Sequence, residues 1–152
     1  MLVPVWKIKA FDELTTQELY QILRLRAEVF VVEQDCPYQD VDNTDQQALH
    51  LWAEMGDDVI AYCRAFDKGI KYPESSIGRV VTHPDFRHLK LGRPLMNFAI
   101  EAIQNRFSNP DIRISAQNYL LKFYGSLGFE PVGESYLEDN IPHTEMLKSY
   151  SA

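Results

Sequence analysis

Cysteine, glycine, net positive charge and long apolar runs are all scarce in this chain, and each shortage removes a class of protein. Among 152 residues there are 2 cysteines, Cys36 and Cys63, so neither a disulfide framework nor a cysteine-built metal centre is expected. With 7 glycines and 8 prolines there is no room for a collagen-like repeat or a low-complexity linker. No uncharged apolar stretch approaches the roughly 18 residues of a membrane span. Lys7 and Lys9 interrupt the apolar start where a secretory segment would need continuity. Basic residues number 15 against 22 acidic ones, a net charge of −7, which argues against a general polyanion binder. The expectation is one domain over residues 1–152, cytoplasmic and reduced, with no nucleic acid and no membrane among its partners.

What is present is a core: 45% of the residues are hydrophobic, and a chain of this size buries about 68–70% of its unfolded surface. Val5 to Phe11 reads as a first strand. Thr15 and Glu18 have capping-box spacing and open a helix whose apolar face carries Leu19, Ile22, Leu23, Ala27 and Phe30. Arg26 falls on that same face and therefore needs a partner. Phe30 to Asp45 reads as a loop, His50–Glu54 and Val59–Phe66 as an antiparallel hairpin, and Ile77–Thr82 as a further strand. A helix over Leu91–Ile103, a strand over Ile112–Ala116, a helix over Leu120–Leu127 closed by Gly128, and strands over Phe129–Val132 and His143–Lys148 complete a mixed α/β order.

Chemistry concentrates in Ile77–Leu95, where a strand leads through Arg87-His88-Leu89-Lys90-Leu91-Gly92-Arg93 into a helix. A helix start offers unsatisfied N–H groups and partial positive charge, and Gly92 allows close approach to the backbone, which is the geometry of a phosphate site. The segment is neither a Walker loop nor a dinucleotide fingerprint. The plainer reading is a solvated basic turn before an ordinary helix.

Here the sequence resembles the GCN5-related N-acetyltransferase (GNAT) superfamily. Arg87 and Gly92 match its Arg/Gln-x-x-Gly-x-Gly/Ala signature, with Lys90 in the first glycine position. Phe123, Tyr124, Gly128 and Phe129 fall in register with a second signature, in which Gln117 and Leu120 replace Asn and Ala. The run Leu25 to Gln34, Cys36 to Asp40 with Asp42, and Asp139 with Ile141 to His143 are similar to the ElaA branch. The resemblance implies a mixed, mostly antiparallel central sheet with splayed parallel strands and flanking helices. It also implies an acetyl-CoA-dependent N-acetyltransferase that moves an acetyl group directly to a primary amine on a small molecule or peptide. A homodimer is left open.

The same resemblance implies roles. Acetyl-CoA lies between Ile77–Thr82 and Ile112–Ala116. Val80, Val81 and Thr82 hold the pantetheine and polarise the thioester, Arg87, His88, Leu89, Lys90, Leu91, Gly92 and Arg93 hold the phosphates, and Gln117 and Phe123 complete the wall. Tyr124 is expected to protonate the leaving thiolate: a phenol near 10 remains a donor at neutral pH, against about 8.5 for a thiol. The bland alternative for Tyr124 is core packing beside Leu120 and Leu127. An alkyl ammonium of pKa about 10.4 is neutral in only about one part in 2,500 at pH 7, so a base is needed. Glu33 is the first candidate, ahead of His50 and His143, and the acidic run Glu33, Asp35, Asp40, Asp42 and Asp45 would attract a cationic acceptor.

Three other readings carry less. Cys36 beside Pro37 would make a thiol-dependent acyltransferase or hydrolase, yet no helix start lowers its pKa. A calcium loop from Asp40 lacks its glycine and closing glutamate, and His83 and His88 lack a zinc partner set, so no metal is expected. A domain of this fold that binds CoA esters or a protein without turnover is the remaining alternative.

Overall fold

The computed structural model describes residues 2–108 and 111–150. In chain order its elements are β1 (Val5–Ala10), α1 (Thr16–Arg26), β2 (Leu49–Met55), β3 (Asp58–Phe66), β4 (Ser75–Thr82), α2 (Gly92–Arg106), β5 (Ile112–Gln117), α3 (Leu121–Gly125), β6 (Glu130–Pro131), β7 (Tyr136–Glu138) and β8 (Ile141–Lys148). The 8 strands form one sheet in the order β1-β2-β3-β4-β5-β8-β6, with β7 added on β8. Every pairing is antiparallel except β4 with β5.

The sheet is covered on both faces. From α1 and its extension, Ile22, Leu25 and Val29 pack against Trp52, Tyr62 and Val81. Leu95, Met96, Ala99 and Ile103 of α2 pack with Leu51, Ala53, Cys63 and Ile114 in the larger core. This is why β3 is buried from Val59 through Phe66 and does not alternate. Each fully buried aliphatic side chain contributes about 1.5–3 kcal/mol, so the two faces hold the sheet between their helices.

Local signals place the ends. Thr15 Oγ1 accepts from the Glu18 amide at 3.0 Å, and Glu18 Oε1 accepts from the Thr15 amide at 2.9 Å, which starts α1 where the spacing predicts. The end of α1 differs from expectation. Ala27–Glu33 continues as π-helix, with Gln34 N–H bonded to Val29 O at 3.0 Å, where the sequence predicts a loop from Phe30. Strand β7 is also absent from the sequence reading: Tyr136–Glu138 spans 3 residues, too few to show a period.

Candidate active site

The parallel pair β4 and β5 is joined only at its start, Ser75 with Ile112 and Ser76 with Arg113. Beyond these residues the strands part, leaving the β5-facing backbone of β4 unpaired along the gap. On the other side, Gly78 pairs with Arg64 and Val81 with Tyr62, so Arg79 and Val80 stand opposite Cys63 alone. This bulge, with Arg79 at φ 50, frees backbone polar groups on β4 where the sheet opens.

Two cavities meet in that opening. A cleft of about 520 Å³ runs from Val80, Val81 and Thr82 to Arg87, Lys90, Leu91 and Gly92, with Gln117 and Phe123 opposite. A smaller cavity of about 120 Å³ lies toward the β7–β8 hairpin, against Gly78, Arg79, Ser115, Glu138 and His143. Phe30, Gln34, Val80, Gln117, Leu120 and Tyr124 border both. Of these, Leu120 is an addition to the sequence-predicted wall, and so are Phe30 and Gln34. The π winding that delivers them cannot be read from an apolar period of 3.6.

At the head of the larger cleft, α2 begins without a side-chain cap, so its first amides are available to an anion. Lys90 takes the left-handed conformation, φ 54 and ψ 52, at the position the GNAT signature gives to glycine, a cost of about 1 kcal/mol for a residue with a Cβ. Its N–H bonds to Arg87 O at 3.0 Å. The basic residues divide differently from expectation. Arg93 turns aside, donating to Ser126 Oγ at 2.8 Å and lying over the Phe123 ring at 5.6 Å, while His88 and Leu89 stay outside the cleft wall.

Tyr124 is positioned by the end of α3. The Phe129 N–H bonds to Tyr124 O at 3.2 Å and the Gly128 N–H to Gly125 O at 3.0 Å, with Gly128 at φ +97. This is a Schellman closure, and the Phe129 ring packs edge-on to Tyr124 at 6.1 Å. The Tyr-x-x-x-Gly-Phe spacing is thus a helix stop that fixes a tyrosine at the meeting point of the cavities. Burial pushes the Tyr124 phenol up, and the nearby Cys63 thiol and Tyr119 phenol add to this, so it is protonated at neutral pH.

The base candidates separate. Glu33 borders the larger cleft and not the smaller cavity. It accepts from Arg87 Nη2 at 2.5 Å and Nη1 at 2.9 Å. The Arg87 hydrogen bonds hold its carboxyl below the usual range despite some burial, which makes it a weaker base than an unpaired carboxylate. His50 is buried with both ring nitrogens engaged, Nδ1 with Tyr62 Oη at 2.7 Å and Nε2 with Asp45 O at 2.9 Å, and burial lowers its pKa. It belongs to the core. His143 is 7% exposed and borders the smaller cavity.

The expected acidic attraction is largely spent. Asp40 pairs with Arg26 at 3.0 Å and Arg79 at 2.8 Å, Asp45 with Arg26 at 2.8 Å and Arg64 at 2.7 Å, and Asp42 with Arg64 at 2.7 Å and Lys71 at 3.1 Å. These carboxylates fold the loop and offer little net field to a ligand. Cys36 Sγ contacts Asp139 O at 3.5 Å, and no histidine is bonded to it among the described residues, so the nucleophile–base pair of a thiol enzyme does not form.

The comparisons agree with this geometry. The description "Acetyltransferase (GNAT) domain" matches residues 12–150. Protein ElaA of Escherichia coli is 37% identical over 145 residues, 94% of this chain and 95% of that protein, and its crystal structure superposes with a TM-score of 0.88. A UPF0039 protein of Schizosaccharomyces pombe is 41% identical over 140 residues, 91% of this chain and 92% of that protein. The crystal structure of an acyl-CoA N-acyltransferase from Pseudomonas aeruginosa, 41% identical, covers 97% of this chain and 100% of that one at a TM-score of 0.91. With the splayed strands, the open helix start and the tyrosine-bearing helix stop, these likenesses show that the chain belongs to the acetyltransferase (GNAT) family, in its ElaA-like branch, and is an N-acetyltransferase.

Proposed function

We propose that this enzyme takes acetyl-CoA as donor and transfers its acetyl group directly to a primary amine. One observation carries this reading: the larger cleft, suited to a long phosphate-bearing donor, meets a second and smaller cavity at Tyr124. Two cavities that share a border accommodate both substrates together, which direct transfer requires and an acyl-enzyme route does not.

The residues present fit the donor. Uncapped amides at the start of α2 and the Lys90 ammonium at its rim suit a pyrophosphate. The β4 backbone at Val80, which has no register partner on β3 or β5, suits the amide-bearing arm and can donate to the thioester carbonyl as charge develops there. The bound thioester supplies an activated acetyl group and a thiol leaving group. Tyr124 supplies the proton for that sulfur. Burial disfavours a thiolate as it does a phenolate, so acid and leaving group remain matched in the cleft. Arg87 is shared between the cleft and Glu33, so its role is to hold the π-helical wall closed over the donor. Two cysteines that are not bonded to each other suit a reducing cytoplasm.

The test is release of free thiol from acetyl-CoA when the protein is offered a panel of alkyl amines and lysine peptides. Acetyl-CoA binding with no thiol release across the panel would instead favour a CoA-ester-binding protein without turnover.

A further inference from the structure

His143 sits near the start of β8, and its Nδ1 lies 2.7 Å from Ile141 O. A carbonyl oxygen only accepts, so Nδ1 carries the hydrogen and the neutral ring presents its lone pair at Nε2. Facing Nε2 at 3.4 Å is Glu138 Oε2. A lone pair against a carboxylate is unfavourable, and the contact becomes an ion pair only when a proton arrives on Nε2. The Tyr136 ring stacks on the imidazole, 6.2 Å between centroids and 26° between planes, which holds the ring in this orientation. Ser115 bonds the Tyr136 hydroxyl and reaches Glu138 Oε1 at 3.4 Å, tying the carboxylate to β5.

From this arrangement we infer that His143 accepts the proton of the acceptor ammonium, with Glu138 as the residue that positions and charges it, so that the acceptor amine enters through the smaller cavity. The inference rests on the N-acetyltransferase reading above. His143 and Glu138 border that cavity together with Tyr124, and Glu33 does not. The other titratable groups around the cavity are Asp139, Tyr38, Cys36 and Arg79. Arg79 is engaged by Asp40 at 2.8 Å and Tyr38 donates to Asp40 Oδ1 at 2.9 Å, while Glu138 is the carboxylate in contact with the imidazole.

The protons balance. One leaves the ammonium for His143 Nε2 and passes to solvent by way of the cavity mouth. The neutral nitrogen forms its bond to the acetyl carbon as the carbon–sulfur bond breaks. The sulfur takes the Tyr124 proton, and the nitrogen's second proton restores the phenol. The net result is one amide, one thiol and one released proton.

The experiment compares two probe amines with acetyl-CoA: n-butylamine, which is an ammonium at pH 7, and methoxyamine, which is already neutral there. General base catalysis is worth about 10²–10⁴-fold. His143→Gln therefore lowers kcat/KM for n-butylamine by about 10²-fold more than for methoxyamine. Glu138→Gln, at a side chain 49% exposed, likewise costs n-butylamine more than methoxyamine, because the carboxylate that meets Nε2 once it has taken the proton is gone. Equal losses with both amines in His143→Gln overturn the base, and equal losses in Glu138→Gln overturn its positioning residue. If the parent protein releases thiol with neither probe nor any amine or lysine peptide of the panel above, the proposed transfer falls, and this inference with it.

Discussion

The Arg26 guanidinium donates to the Asp45 carboxylate over 2.8 Å, with the side chains 0% and 6% exposed. The helix that walls the active site is thereby fastened to the loop that follows it. Arg64 Nη1 reaches the same oxygen at 2.7 Å, from β3. Removing a member of such a pair leaves charge buried without compensation, which costs about 3–5 kcal/mol. Asp45→Ala takes the shared carboxylate from both arginines while Arg26 keeps Asp40 and Arg64 keeps Asp42, so urea denaturation should show a loss at the lower end of that range. A loss under about 1 kcal/mol would mean that water reaches the cluster.

Acid should act on the same cluster. Burial alone would raise the carboxyls of Asp42 and Asp45. Hydrogen bonds from Arg64 and Thr44 to Asp42, and from Arg26 and Arg64 to Asp45, outweigh it and hold both below the usual range. A pKa lower in the folded than the unfolded chain gives stability that is full above the unfolded value, about 3.9, and is lost as pH falls through the native one. Thermal midpoints should hold at neutral pH and drop below about pH 4, and in Asp42→Asn that drop should be shallower. An unchanged acid profile in that variant would remove Asp42 from the account.

How far this was legible depends on the range of each signal. Thr15 with Glu18 and Gly128 with Phe129 are short-range devices, and the sequence alone places both. Phe30 and Gln34 come to the cavities through π winding, which leaves no periodic trace. Arg26 on an apolar face announces that a partner exists, but Asp40 and Asp45 lie 14 and 19 residues on, and only the folded loop shows that they neutralise it. That Glu33 is paired with Arg87, 54 residues on in sequence, is likewise visible only in the fold. The contact of His143 with Glu138 is also hidden, because Glu138 lies on a strand of 3 residues that has no sequence signature.

Cys36 provides a control on the route. Its sulfur contacts a backbone carbonyl, Asp139 O at 3.5 Å, and carries no bonded histidine. Cys36→Ala should keep turnover within about twofold, since no covalent step depends on it. Mass spectrometry of the protein with acetyl-CoA should show no acetyl group on Cys36. A trapped thioester there, with ping-pong kinetics, would replace direct transfer by a thiol route.

Gly92 tests the phosphate end of the cleft. A Cβ built there lies 3.5 Å from Phe123 Cζ, an ordinary contact, so the backbone tolerates a side chain. The branched methyls of valine would crowd Phe123 and the free amides beside it. Gly92→Val should weaken coenzyme A binding by about tenfold, or about 1.4 kcal/mol, in calorimetry. A folded variant with parental affinity would place the phosphates elsewhere.

Tyr124 is the residue on which core packing and chemistry compete most directly. Its ring packs edge-on against Phe123 at 5.1 Å and Phe129 at 6.1 Å, a sufficient structural reason for an aromatic at this position. The hydroxyl is the part that packing does not need, and Tyr124 lines both cavities. Tyr124→Phe keeps the ring contacts and nearly all the buried area, so its thermal midpoint should stay close to the parent's. If the hydroxyl protonates the departing sulfur, kcat at saturating acetyl-CoA should fall by about 10²–10⁴-fold, equivalent to about 2.7–5.4 kcal/mol of barrier. The fall should be smaller with an acyl donor whose leaving thiol is more acidic, because that sulfur departs without needing the proton. A stable Tyr124→Phe variant with kcat within about twofold of the parent would return Tyr124 to the core and leave the sulfur to be protonated by water.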